Sequence, residues 1–236
     1  MIVLLRRRYV MAAAVTLLAA AAAAALWAGP SARPAMAGTG RQTIVLDAGH
    51  GGEDGGASSP DGVLESGLNL QFALRMRDLL QFAGVETVML RETDTALYSD
   101  GCSGIAEKKV SDLKNRVLRT NQAPNAVLLS VHQNFFTEAK YRGAQVFDAK
   151  TDGSRELAEA MQGSFAATVN PGSRRRCKEA GSVYLMQHVH CTAVLVECGF
   201  LSNPAEEAKL REPGYQQRIA CVIGTAAAAY LAGVQE

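Results

Sequence analysis

The stretch from Ile44 to Ala57, IVLDAGHGGEDGGA, puts a histidine at the end of a short apolar run and surrounds it with glycines and acids. Ile44, Val45 and Leu46 read as a buried strand, which Gly49, Gly51, Gly52, Gly55 and Gly56 cannot extend. His50, one of only four histidines, therefore stands where a strand opens into a loop. That is where α/β proteins put chemistry.

Outward from this stretch the elements alternate. A strand over about residues 43–47 leads through the glycine loop into ESGLNLQFALRMRDLLQFAG, where Leu68, Phe72, Met76, Leu79 and Leu80 fall at helical spacing and Gly84 closes the helix. VETVML reads as a strand, KKVSDLKNRVLRTNQA as a helix, NAVLLSV and GAQVFDA as strands, and SRELAEAMQGSFAATV as a helix. SVYLM and TAVLVECG read as further strands, and helices over about 204–211 and 214–232 finish the chain. The predicted class is α/β: a single twisted, mostly parallel sheet flanked by helices on both faces.

Composition fits one globular domain, placed at 42–236: 48% of the 236 residues are hydrophobic, 20% are charged, and the formal net charge is +1. That balance gives no reason to expect nucleic acid as a partner. Arg6, Arg7 and Arg8 precede the uncharged run from Tyr9 to Trp27, the layout of an export signal. Residues 1–29 are read as a signal peptide or N-terminal membrane anchor, and 30–41, with Pro30 and Pro34, as a linker. AMA at Ala35 to Ala37 offers a cleavage site. The chain is thus expected outside the cytoplasm, secreted or touching a membrane only through that segment. Five cysteines, an odd number at no zinc-ribbon or redox spacing, leave at least one unpaired and read chiefly as buried free thiols.

His50 ends the first strand, His132 ends LLSVHQN, Glu197 interrupts the apolar run AVLVEC, and Glu65 opens the helix after the glycine loop. If the strands are parallel neighbours, all four converge at one sheet edge. Two imidazoles and a carboxylate make a catalytic zinc site, and a second carboxylate supplies the acid and base that hydrolysis requires. Taken singly, His50 reads as a loop residue, His132 as a core histidine and Glu65 as a helix N-terminal acid. Glu197 resists such a reading, because a buried charge needs a partner. The glycine loop fits neither phosphate-binding pattern. His188 and His190, on alternate residues of YLMQHVHC, form a competing metal or thiol-hydrolase site with Cys191 or Cys198. Arg174, Arg175 and Arg176 read as a solvated loop or an anion-binding one.

Four blocks, LDAGHGGEDGGA, GVLESGLNL, LLSVHQN and VLVECGFLSNPAEE, resemble the zinc-dependent N-acetylmuramoyl-L-alanine amidases (amidase type 3) of bacterial cell walls, over roughly Gln42 to Leu231. The resemblance implies that His50, Glu65 and His132 bind zinc and that Glu197 is the catalytic acid/base. It implies a peptidoglycan substrate, cleaved between N-acetylmuramic acid and L-alanine. Asp47, Ser130 and Asn134, flanking these residues, read either as groups that fix the imidazole tautomers or as local turn and capping residues. A short chain with an N-terminal membrane segment and KKVSDLKNRV before the third strand is similar to the germination-specific, CwlD-type amidases of spore formers. That similarity implies a role in spore cortex maturation through muramic-δ-lactam, and allows a lipoprotein activator; a monomer is compatible with it. The competing readings are a partner-dependent or catalytically weak peptidoglycan-binding protein, and another zinc peptidase or deacetylase of the wall.

Overall fold

The computed structural model describes residues 42–233. The segments read as an export signal and linker, 1–29 and 30–41, lie outside the described residues. Among the described residues no helix is long and apolar enough to cross a membrane.

Among the described residues twelve elements follow in chain order: β1 (Thr43–Ala48), α1 (Glu65–Phe82), β2 (Thr87–Met89), α2 (Ile105–Gln122), β3 (Ala126–Asn134), β4 (Gln145–Asp148), α3 (Ser154–Thr168), β5 (Lys178–Glu179), α4 (Tyr184–His188), β6 (Thr192–Phe200), α5 (Pro204–Leu210) and α6 (Pro213–Gly233). The strands form one sheet in the order β2-β1-β3-β6-β4-β5. β2, β1, β3 and β6 run parallel, and β4 turns antiparallel to β6. The sheet is therefore mostly parallel, as expected.

β1 is buried at all six positions, the mark of a parallel strand covered on both faces. Its side chains alternate. Val45, Leu128, Ala193 and Leu195 join the core beneath Val117 of α2 and Leu185 and Met186 of α4. On the other face α1 and α3 pack against the sheet and α6 packs on both, and Phe72, Met76, Leu157, Met161 and Phe165 are fully buried there. Helices thus cover both faces.

SVYLM is not a strand. Residues 184–188 form α4, because β6 already has β3 and β4 on its two sides and leaves no ladder for this segment to join. Leu185 and Met186 are instead buried under a helical turn, on which the Tyr184 and His188 rings stack at 3.9 Å. The two-residue edge strand β5 carries no sequence pattern and was not anticipated.

The chain order places a topological switch at one point. From β1 the chain passes through α1 to β2 on one side of β1, then through α2 to β3 on the other. Open α/β sheets have a crevice beyond the carboxyl ends of the strands at such a reversal. Here it lies between β1 and β3, and His50 and His132 stand at their carboxyl ends.

Candidate metal centre

His50 follows β1 in a left-handed conformation, φ 62°, which costs a non-glycine residue about 1–3 kcal/mol and persists only under external restraint. Arg116 of α2 supplies that restraint, its Nη2 donating to the His50 carbonyl at 2.7 Å. Arg116 also donates from Nη1 to Ala48 O at 2.9 Å, and forms a buried ion pair with Asp47. From the opposite side Arg91 donates to Ala48 O (2.8 Å), Gly49 O (3.0 Å) and Ser66 O (2.8 Å). Two buried guanidiniums thus hold the loop as it leaves the strand.

Glu65 opens α1 and is buried. Its carboxylate accepts from Ala57 N at 2.9 Å, Gln133 N at 3.1 Å and Asn69 Nδ2 at 3.2 Å, and sits between the two imidazoles. Oε1 stands 2.9 Å from His132 Nδ1, and Oε2 stands 3.4 Å from His50 Nε2. Burial raises its pKa, but the histidine contacts outweigh that and hold it far below the usual carboxylate range. Burial likewise opposes charge on His50, yet Glu65 and then Asp54 overcome it and raise the imidazole to about 9.

One ligand atom from each of His50, Glu65 and His132 lies within 4.8 Å of the others. Donors at about 2.0–2.2 Å from a tetrahedral zinc stand roughly 3.4 Å apart, comparable with the Glu65 contacts. Two nitrogens and one oxygen also match zinc's ligand preference. Glycines leave the required room. A Cβ on Gly49 would come within 2.2 Å of the His132 ring, and one on Gly56 within 2.6 Å of Glu65 Oε2 and 2.7 Å of His50 Cδ2. The donor set therefore fits the metal.

Glu197 lies beside this group, since β6 pairs it in register with His132, just before a register shift in the ladder. Its Oε2 is shut off from solvent without a hydrogen-bond partner. Burial drives its pKa up to about 7. All four sequence-predicted residues are thus brought together.

The flanking residues behave differently from expectation. Asp47 and Ser130 bond to each other at 2.6 Å and brace Arg116 rather than an imidazole. Asn134 contributes its carbonyl to Leu201 N. The imidazole partner that sequence reasoning missed is Asp54, whose Oδ2 meets His50 Nδ1 at 2.9 Å. Asn69 was also missed; it stands one helical turn beyond Glu65, a spacing that signals contact.

The competing constellation dissolves. His188 donates from Nδ1 to Tyr184 O at 2.8 Å, and neither it nor His190 joins a metal-ligating group among the described residues. Burial pushes the Cys198 thiol well up, away from nucleophile chemistry. All five cysteines are free, though only Cys198 is buried. Arg175 is partly folded in, donating to Arg142 O and lying 5.0 Å over the Phe200 ring.

Fold and site together define a class: a doubly covered α/β sheet with a two-histidine, one-carboxylate cluster and a buried acid at its switch point. Residues 44–229 match the family model described as N-acetylmuramoyl-L-alanine amidase. The chain is 38% identical over 181 residues to the germination-specific N-acetylmuramoyl-L-alanine amidase of Bacillus subtilis, covering 76% of each. It is 30% identical to the N-acetylmuramoyl-L-alanine amidase LytC of the same organism, covering 80% of this chain but only 35% of that longer one. Among solved structures, the CwlD amidase from Clostridioides difficile in complex with the GerS lipoprotein superposes with a TM-score of 0.76 at 36% identity, covering 80% of this chain and 98% of that one. The chain belongs to the N-acetylmuramoyl-L-alanine amidase family, enzymes of peptidoglycan.

Proposed function

We propose that this chain is a zinc-dependent amidase in which His50, Glu65 and His132 hold the metal and Glu197 is the catalytic acid/base. The convergence of three donors within 4.8 Å beside a buried acid carries this reading. When bound, zinc polarises the scissile carbonyl and lowers the pKa of water toward about 7. The bond cleaved joins the lactyl group of N-acetylmuramic acid to L-alanine. Glu197, with a pKa near the working pH, takes the proton from the attacking water and returns it to the alanine nitrogen as the C–N bond breaks. Glu65 stays ionised throughout, and Asp54 fixes the tautomer of His50 by accepting its Nδ1 proton.

Likeness to a germination-specific relative supports spore cortex as the substrate, with the product feeding muramic-δ-lactam formation. A peptidoglycan substrate also requires export, for which residues 1–29 provide the signal or anchor. A lipoprotein activator is supported by the complex of the CwlD relative, and gives the second reading: an enzyme silent until its partner binds.

Release of L-alanine amino termini from purified cortex and vegetative peptidoglycan tests both readings. Zinc-loaded protein is expected to be active, chelator to abolish the activity, and Glu197→Gln to lower it by about 10²–10⁴-fold with full zinc content. Activity that survives Glu197→Gln would remove that residue from the mechanism. Zinc-loaded protein inert alone but active with membrane extract selects the partner-dependent reading.

A further inference from the structure

A groove of about 610 Å³ runs along α3. One wall is a stripe of that helix, with Arg155, Glu159, Gly163 and Ala166 spaced so that they fall on one face. The other is the loop that leads into β5, with Arg175 and Arg176. Nothing stands within 4 Å of where a Cβ on Gly163 would lie, so the middle of the groove is open. It shares no lining residue with the cleft that contains His50 and His132.

The folded domain is net acidic, since all 23 aspartates and glutamates lie after residue 41 whereas five of the 24 lysines and arginines precede it. The groove has the opposite sign. Arg142, Arg174, Arg176 and Lys178 are exposed and Arg175 is half-buried. The ion pairs around them engage other residues: Lys140 with Glu138, Lys150 with Glu179, and Arg155 with Asp148 at 3.2 Å. Among the described residues none of the five has a carboxylate within 4.0 Å. Arg175 is satisfied by uncharged acceptors, Arg142 O at 3.0 Å and Gln145 Oε1 at 3.3 Å, so its charge is not neutralised. Glu159 is the one acid lining the groove. With Arg155 assigned to Asp148 and one of the five to Glu159, four positive charges are left over.

We propose that this groove binds a linear phosphodiester polymer of the cell envelope and so holds the protein on the wall. Residues 155–166 of α3 span about 16 Å, room for more than one phosphodiester. Three of the four exposed cations are arginines, whose forked guanidinium matches phosphate oxygens bidentately. A stem peptide separates its carboxylates with neutral residues and an amine. A polymer with a negative charge on every repeat suits an unbroken run of cations better. A lipid surface would meet the exposed rim but not the concave floor. Because the rest of the domain is acidic, the polymer is repelled elsewhere and attracted along this ribbon. The proposal rests on the peptidoglycan reading for location alone and needs no hydrolysis.

Calorimetric binding of poly(glycerol phosphate) to the full zinc-loaded chain in neutral micelles tests it. Wild type is compared with Arg174→Gln/Arg176→Gln/Lys178→Gln and with Lys114→Gln/Lys209→Gln/Arg218→Gln, which removes the same charge from exposed positions on α2, α5 and α6. Wild-type affinity is expected to fall about 50-fold between 50 and 200 mM salt, as for about four phosphates neutralised on a flexible chain. The ribbon variant should bind at least about ten-fold more weakly at 50 mM with a flatter salt dependence, and the control variant within about two-fold of wild type. Absence of binding, or equal losses in the two variants, overturns the proposal. Ribbon-dependent binding to phosphatidylglycerol vesicles as tight, per phosphate, as to the polymer also overturns it, because the patch then faces a membrane. Hydrolysis of a soluble muramoyl-L-alanyl compound is followed in parallel without polymer and is expected to be equal in all three proteins. If none cleaves it while polymer binding still depends on the ribbon, the groove stands and the hydrolytic reading falls.

Discussion

At the scale of single residues, His50 carries the most consequence. Its left-handed backbone aims the imidazole at Glu65, and its two ring nitrogens are divided between Glu65 and Asp54. Without metal these carboxylates hold a proton on the ring up to about pH 9. Zinc must displace that proton, because a ligating imidazole is neutral. Apparent zinc affinity is therefore expected to rise by about ten-fold per pH unit up to about pH 9 and then level off. Chelator competition from pH 6.5 to 9.5 measures this, and a flat profile would disprove it. The sign for folding is opposite. The pKa is raised on folding, so the charged His50 stabilises the metal-free fold fully below about pH 6.5, and that contribution is lost as the pH climbs through 9. The sequence made His50 conspicuous through the glycines around it. It did not reveal Asp54, whose role depends on how the loop closes through the Gly51–Asp54 backbone bridge.

Among elements, α2 does more than cover the sheet. It carries Arg116, the buried charge on its inner face, and that guanidinium ties β1, the His50 loop and Asp112 one turn earlier together. Two carboxylates pull its pKa further upward against the effect of burial, so it is charged at every accessible pH. Arg116→Leu would leave Asp47 as a buried carboxylate without its ion-pair partner and with Ser130 as its remaining side-chain hydrogen-bond donor, a loss expected to cost about 3–5 kcal/mol. Adding Asp47→Asn should recover part of it, as chemical denaturation of the single and double variants would report. Equal stability of the two would mean that the ion pair is not the element's anchor. The sequence indicated helix α2, yet for Asp47 and Ser130 it offered only an imidazole partner or a local turn. An arginine 69 positions from Asp47 takes that carboxylate, to which Ser130 also donates, and no spacing rule connects residues that far apart.

For the whole molecule, the site is an edge feature of an independently packed core. Fully buried side chains such as Phe72, Phe165, Leu129 and Met161 lie within the sheet and helix layers, away from the ligand loop. Chelation is therefore expected to lower Tm without unfolding the chain at 25 °C, and zinc at about 100 times Kd to restore about 2.7 kcal/mol. Thermal melts across a zinc titration check this; complete loss of secondary structure on chelation would contradict it.

Local chemistry explains what the sequence alone determined. Short apolar runs marked most strands and period-3.6 hydrophobicity the helix after the glycine loop, glycines marked the loop after β1, and polar residues at element ends or inside an apolar run marked His50, Glu65, His132 and Glu197, because each signal is written within a few neighbouring positions. The tertiary structure decided the rest. It set the strand order that puts β1 beside β3 at the reversal point, turned β4 antiparallel, and made residues 184–188 a helix because no free ladder was left for them. It also chose which buried charges meet which. Pairings of that kind depend on chain closure over tens of residues, and their energies exist only once the sheet has been assembled.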